Sequence, residues 1–82
     1  MNDFFDPNTG SMSVDDLNSL EQIALTYLQE GESIIEIRMT GIDRAEINVG
    51  IIINRKAGGG RKIALERTAG HWTEVGVQGW IA

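Results

Sequence analysis

The residues with the most chemistry to offer are Arg55, Lys56, Arg61 and Lys62, which bracket Ala57 and the glycines Gly58, Gly59 and Gly60. Glycines leave backbone N–H groups open to a ligand, and the flanking cations add positive potential, so this run can nest a phosphate or an acidic side chain. It lacks the order of a Walker A loop. Ile63 follows Lys62 where Ser or Thr would hold magnesium, and a strand pattern follows where a helix should begin. The dinucleotide fingerprint is absent as well. Segment 55–61 reads as a hairpin loop. Its tip either contacts an acidic partner or simply keeps a sheet edge soluble through charge.

The rest of the chain offers little reactive chemistry. Cys is absent, which excludes thiolate metal sites, disulfides and a cysteine nucleophile. His71 is the single histidine, and one imidazole leaves little for acid–base work near neutral pH. Asp43 and Glu74 have no spacing that pairs them with it. No nucleophile–base arrangement, metal-ligand set or cofactor motif emerges, and no cofactor is expected.

The 82 residues have a formal net charge of -5. That length holds one domain with a small core, and such a fold leans readily on a partner. Net acidity argues against a general nucleic-acid or anionic-membrane binder, because phosphate attraction dominates those affinities. Charge is also uneven. Eight acids precede Arg38 and no base does, whereas seven bases and four acids follow from that point. No apolar run approaches the roughly 18 residues of a membrane span, and the N-terminus has no signal-peptide pattern. A cytoplasmic, soluble domain is expected.

Residues 1–12 read as a flexible arm, with Phe4 and Phe5 set between Asp3 and Asp6. Ser13 is a fitting N-cap, with Asp15 and Asp16 in the first turn behind it. Val14, Leu17, Leu20, Ala24, Tyr27 and Leu28 then recur at helical spacing, and Gly31 suits the left-handed position after a helix. Beyond it the period becomes two. Ile35, Ile37 and Met39 form one alternating set, and Ala45, Ile47, Val49, Ile51 and Ile53 a second. Ile63 with Leu65 makes a third, and Val75, Val77 and Ile81 a fourth. Trp72 falls on the opposite parity from Val75, so either a bulge near Thr73 and Glu74 turns it inward or it faces out beside Trp80. Short connections make consecutive strands antiparallel neighbours. The expected fold class is α+β, one N-terminal helix packed on a four-stranded antiparallel meander within residues 13–82.

The closing segment resembles the cystatin-like and nuclear-transport-factor-like superfamily. Its members pack a helix on a curved antiparallel sheet and end with a turn Gly, Trp two residues on, alternating apolar residues and a final aromatic. Gly70, Trp72, Val75, Val77, Trp80 and Ile81 stand in that relation. The resemblance implies the fold. It implies no catalysis, because the chain has neither the extra helices nor the acid–tyrosine pair that a pocket would need.

One helix covers one side of four strands. The other side, with Ile52, Ala64, Gly76 and Trp80 and with Ile34 near its edge, reads as a docking face. The expected function is a non-enzymatic protein-interaction module of the immunity, inhibitor or assembly-adaptor type. Ile52 and Trp80 would supply apolar area, Arg55, Lys56, Arg61 and Lys62 would supply charge, and the partner would be another protein or a second copy in a homodimer. One alternative is a ligand or enzyme pocket between helix and sheet, lined by Tyr27, His71 and Trp72. Another is nucleic-acid contact through the basic hairpin.

Overall fold

The computed structural model describes residues 12–54 and 57–81. One helix, α1 (Val14–Tyr27), precedes β1 (Ser33–Gly41), β2 (Arg44–Asn54), β3 (Ala57–Thr68) and β4 (His71–Ile81). The strands form one sheet in the order β1-β2-β3-β4 with every neighbouring pair antiparallel. This is the α+β meander that the periodicities imply. Most of the expected arm lies outside the described residues, but Met12 packs against the core.

The helix starts where the sequence places it. Ser13 Oγ accepts the Asp16 N–H at 3.0 Å, which satisfies one of the orphan donors of the first turn. It ends earlier than Gly31 suggested. Leu28 already has extended geometry, with ψ 133°. Gly31, with φ 84°, instead occupies the third position of turn 29–32, which Glu32 N–H closes on Gln29 O at 2.9 Å. A type II turn requires a left-handed residue there.

Leu20 and Ala24 from α1 close over Met39, Ala45, Ile47, Val49, Ile63 and Leu65. These eight side chains are the whole buried core of the described residues. Each large one contributes about 1.5–3 kcal/mol by leaving water. The apolar run of β2 continues past the helix, so Ile51 and Ile53 are exposed although Ala45, Ile47 and Val49 are buried.

Two bulges set the faces: one overturns the expected parity of Ile35, and the other takes the inward of the two courses open to Trp72. In β1 the register jumps between Ile34 and Glu36, so Ile34 joins Ile37 against the core where Ile35 was expected. In β4 the register jumps at Val75, because Gly76 pairs with Ala64 and Glu74 with Leu65. One extra residue reverses parity. Trp72 and Glu74 therefore turn to the helix side, while Gly76, Gln78 and Trp80 stay on the open side.

The glycine run is also not a loop. Gly58, Gly59 and Gly60 belong to β3 and pair with Ile52, Ile51 and Gly50. Gly60 is obligatory, because a Cβ there would lie 2.0 Å from Val49 O. Gly76 differs, with nothing within 4 Å of its Cβ position.

The β3–β4 turn places both Ala69 (φ 53°) and Gly70 (φ 80°) in the left-handed region, as a type I′ hairpin turn requires. Ala is a poor occupant of such a position. Ala69→Asn should raise stability by about 0.5–1 kcal/mol, read as a higher urea midpoint at unchanged slope. In the same assay Gly60→Ala should lose roughly 3 kcal/mol or fail to fold, whereas Gly76→Ala should change stability by about 1 kcal/mol or less.

Candidate functional site

The two faces of the sheet are built differently. On the helix side a fence of polar contacts seals the core along β3 and β4. Arg67 donates from Nε to Asp43 Oδ1 at 3.0 Å and from Nη2 to Ile42 O at 3.0 Å, and Nη1 reaches Asp16 in the first helical turn. Its guanidinium lies 4.9 Å from the centre of the Trp72 ring, a cation–π distance. Asp43 first and Asp16 second raise the Arg67 pKa above its ordinary value. Arg61 donates to Tyr27 O at 2.8 Å and pairs with Glu32. Glu32 in turn accepts the Gln29 N–H at 2.9 Å. The last turn of α1 carries no basic residue of its own, so Arg61 supplies the positive charge favoured at a helix C-terminus. Between the two arginines the Tyr27 hydroxyl donates to Glu74.

The open face alternates small, charged and amide side chains. Arg38 pairs with Glu46 at 2.9 Å, and Arg44 with Glu66 at 3.2 Å. Trp80 sits beside Gly60 in the register, and its indole N–H crosses β3 to reach Asn48 Oδ1 on β2 at 2.7 Å. A hollow of about 210 Å³ opens beside it, lined by Glu46, Lys62, Ala64, Gly76, Val77 and Gln78. Ala64 and Gly76 are adjacent in the register and too small to fill the space. Lys62 is the one Lys or Arg among the described residues outside an ion pair.

The residues singled out in the sequence scatter over this framework. Arg61 and Lys62 point to opposite faces of β3, and Arg61 is engaged within its own chain, so they do not form one basic tip. Arg55 and Lys56 lie outside the described residues. Ile52 is exposed near the end of β2, and Trp80 is half-buried by its bond to Asn48. The expected apolar sheet face is largely polar, and Ile34 belongs to the other side. Tyr27 and Trp72 pack against the core, while His71 is exposed at the β3–β4 turn. The hollow lies on the face away from all three. Arg67 and Glu32 carry no motif in the sequence, and Asp16 reads there only as a first-turn acid, although Arg61 and Arg67 share strand parity with Ile63 and Leu65. That parity was the available sign that both arginines face the helix.

Among the described residues no helix is long and apolar enough to cross a membrane, and no group of three His, Asp or Glu is placed to hold a metal ion. Comparison of the chain with family models, curated proteins and solved structures finds no match.

The hydrogen bond to Glu74, then burial, raise the Tyr27 phenol pKa. A raised folded-state pKa stabilises the fold fully below the unfolded value of about 10 and loses that contribution as pH climbs through the folded value. Tyr27→Phe should therefore cost about 1 kcal/mol at neutral pH. The gap to the unmodified chain should close at strongly alkaline pH, as followed by denaturation midpoints across pH. The chain has one tyrosine, so its absorbance reports the titration directly.

Proposed function

We propose that this chain is a non-enzymatic protein-interaction module that docks a partner protein on the open face of its sheet. The observation that carries the reading is the hollow over Ala64 and Gly76, with unpaired Lys62 and the Gln78 amide on its rim. Strand residues normally fill such space with their own side chains. Here two small residues leave a socket for a projecting side chain, and Lys62 can meet an acidic group beside it. Volume also favours this reading, because about 210 Å³ falls short of the roughly 300–1,000 Å³ of a small-molecule pocket but suits one inserted side chain. The chain's net charge of -5 disfavours a purely anionic ligand such as a nucleic-acid backbone. The immunity, inhibitor and adaptor roles share this mechanism of surface complementarity. The helix-then-meander order is compatible with the cystatin-like architecture that the closing segment resembles, and we propose that kinship at the level of fold alone.

A photo-crosslinking side chain introduced at Lys62 should capture a defined protein in cells, and the same group at Gln22 on the exposed helix surface should not. Lys62→Glu should weaken binding of the captured protein about tenfold or more. Equal capture from both positions, or binding indifferent to Lys62→Glu, would overturn the open face as the docking surface.

A further inference from the structure

We infer that the β4 edge pairs with the β4 edge of a second copy, antiparallel about a two-fold axis at Gln78. This uses the sheet edge and does not depend on the docking reading of the open face.

The strand order leaves β1 and β4 as edges. Edges template further pairing unless charge, proline or bulges blunt them. β1 is blunted, because its register jumps at Ile35 and again at Thr40, and Glu36 and Arg38 stand on it. β4 is long, from His71 to Ile81, and has no Lys, Arg or Pro. Its one acid, Glu74, is turned inward to the Tyr27 hydroxyl. Beyond the irregularity at Val75, residues 76–81 pair with β3 without a break. Val75, Val77 and Ile81 stay 60%, 48% and 90% exposed beside this edge.

Each copy has a formal net charge of -5, so most approaches of two copies are repulsive. Residues 75–81 of β4 carry no charged side chain, so two β4 edges can meet there with Glu74 outside the paired stretch. Side-chain size then selects the register. With Gln78 opposite its own copy, Val77 faces Gly79, Gly76 faces Trp80 and Val75 faces Ile81 of the second chain. Bulky residues fall opposite glycines or opposite each other, which is the cross-strand fit that stabilises a sheet. Val77 and Gly79 both belong to the helix side, whereas Gly76, Gln78 and Trp80 belong to the open side. The pairing therefore continues the sheet with both helices on the same side. Centring on Val77 instead would set Gly76 against Gln78 and bring Trp80 and Ile81 onto the bulged stretch. A seam of one strand edge and three partly exposed side chains per copy falls below the roughly 1,200 Å² of a stable complex. The dimer is accordingly dissociable and isologous.

Light scattering over a concentration series, with sedimentation as a second reading, tests this. Mass should rise from monomer to dimer. Val77→Lys should shift the midpoint to at least tenfold higher concentration, while Thr40→Lys on the β1 edge and Gln22→Lys on the exposed helix surface should leave it in place. Circular dichroism confirms that each variant is folded. Register is tested separately, because the native chain has no Cys. Directly opposed strand residues lie about 4.5–5.5 Å apart between Cα atoms, within disulfide reach. Gln78→Cys should thus form a linked dimer under mild oxidation, and Gln22→Cys should lag at least tenfold. A chain that stays monomeric throughout, a dimer that survives Val77→Lys, or equal linking of the two cysteine variants would overturn the inference.

Discussion

Two arginines on one strand, Arg61 and Arg67, set where the helix lies, and the remaining surfaces follow from that. They are six residues apart on β3, about 20 Å at strand rise. From Asp16 to Tyr27 the helix spans eleven residues, about 16–17 Å. The lengths match closely enough for Arg67 to hold the first turn through Asp16 while Arg61 holds the last carbonyls through Tyr27 O. Arg61 and Glu32 are both largely withdrawn from water, with side-chain exposures of 24% and 10%. Loss of either partner would strand the other's charge in a poorly solvated place. The division of the chain into an acidic first part and a basic second part thereby acquires a structural meaning, because acids around the helix face bases on the sheet.

The fence formed by Arg67, Trp72, Tyr27, Glu74 and Arg61 lets eight buried residues make a closed core under a single helix. It also limits what the helix covers. Val77 and Ile81 lie outside it, and among the described residues nothing covers the opposite face. On that face the sheet presents Lys62, Gln78 and the hollow over Ala64 and Gly76, while β4 presents its backbone. Arg61 and Lys62 are neighbours in sequence but stand on opposite faces, Arg61 in the contacts that hold the helix and Lys62 on the face proposed for docking.

Much of the fold was legible in residue patterns. Ser13 with Asp16 marked the helix start, and the alternation through Ala45, Ile47 and Val49 marked the buried face of β2. Faces became misleading wherever one residue was inserted. The β4 bulge was signalled by the parity clash between Trp72 and Val75, whereas the bulge at Ile35 leaves no compositional trace, yet each reverses every side chain beyond it. Segment 58–60 looked like a loop because glycine is common in loops. In the structure those glycines are strand residues, and at Gly58 and Gly60 β2 and β3 approach too closely for a Cβ. The candidate site was less legible than the fold. Lys62 and Trp80 could be placed on the open face by parity, but the hollow exists only because Ala64 and Gly76 become neighbours across two strands, and the Trp80 bond to Asn48 spans three. Ion pairs such as Arg67 with Asp16 join residues 51 positions apart, a separation at which spacing carries no information.

The most direct test of the arginine clamp is amide hydrogen exchange in Arg67→Met compared with the unmodified chain. If Arg67 positions the helix, amides of α1 should lose protection by tenfold or more in the variant while the central β2 and β3 amides keep theirs. Uniform loss across helix and sheet, or unchanged protection in α1, would contradict a helix held at its ends by the arginines of β3.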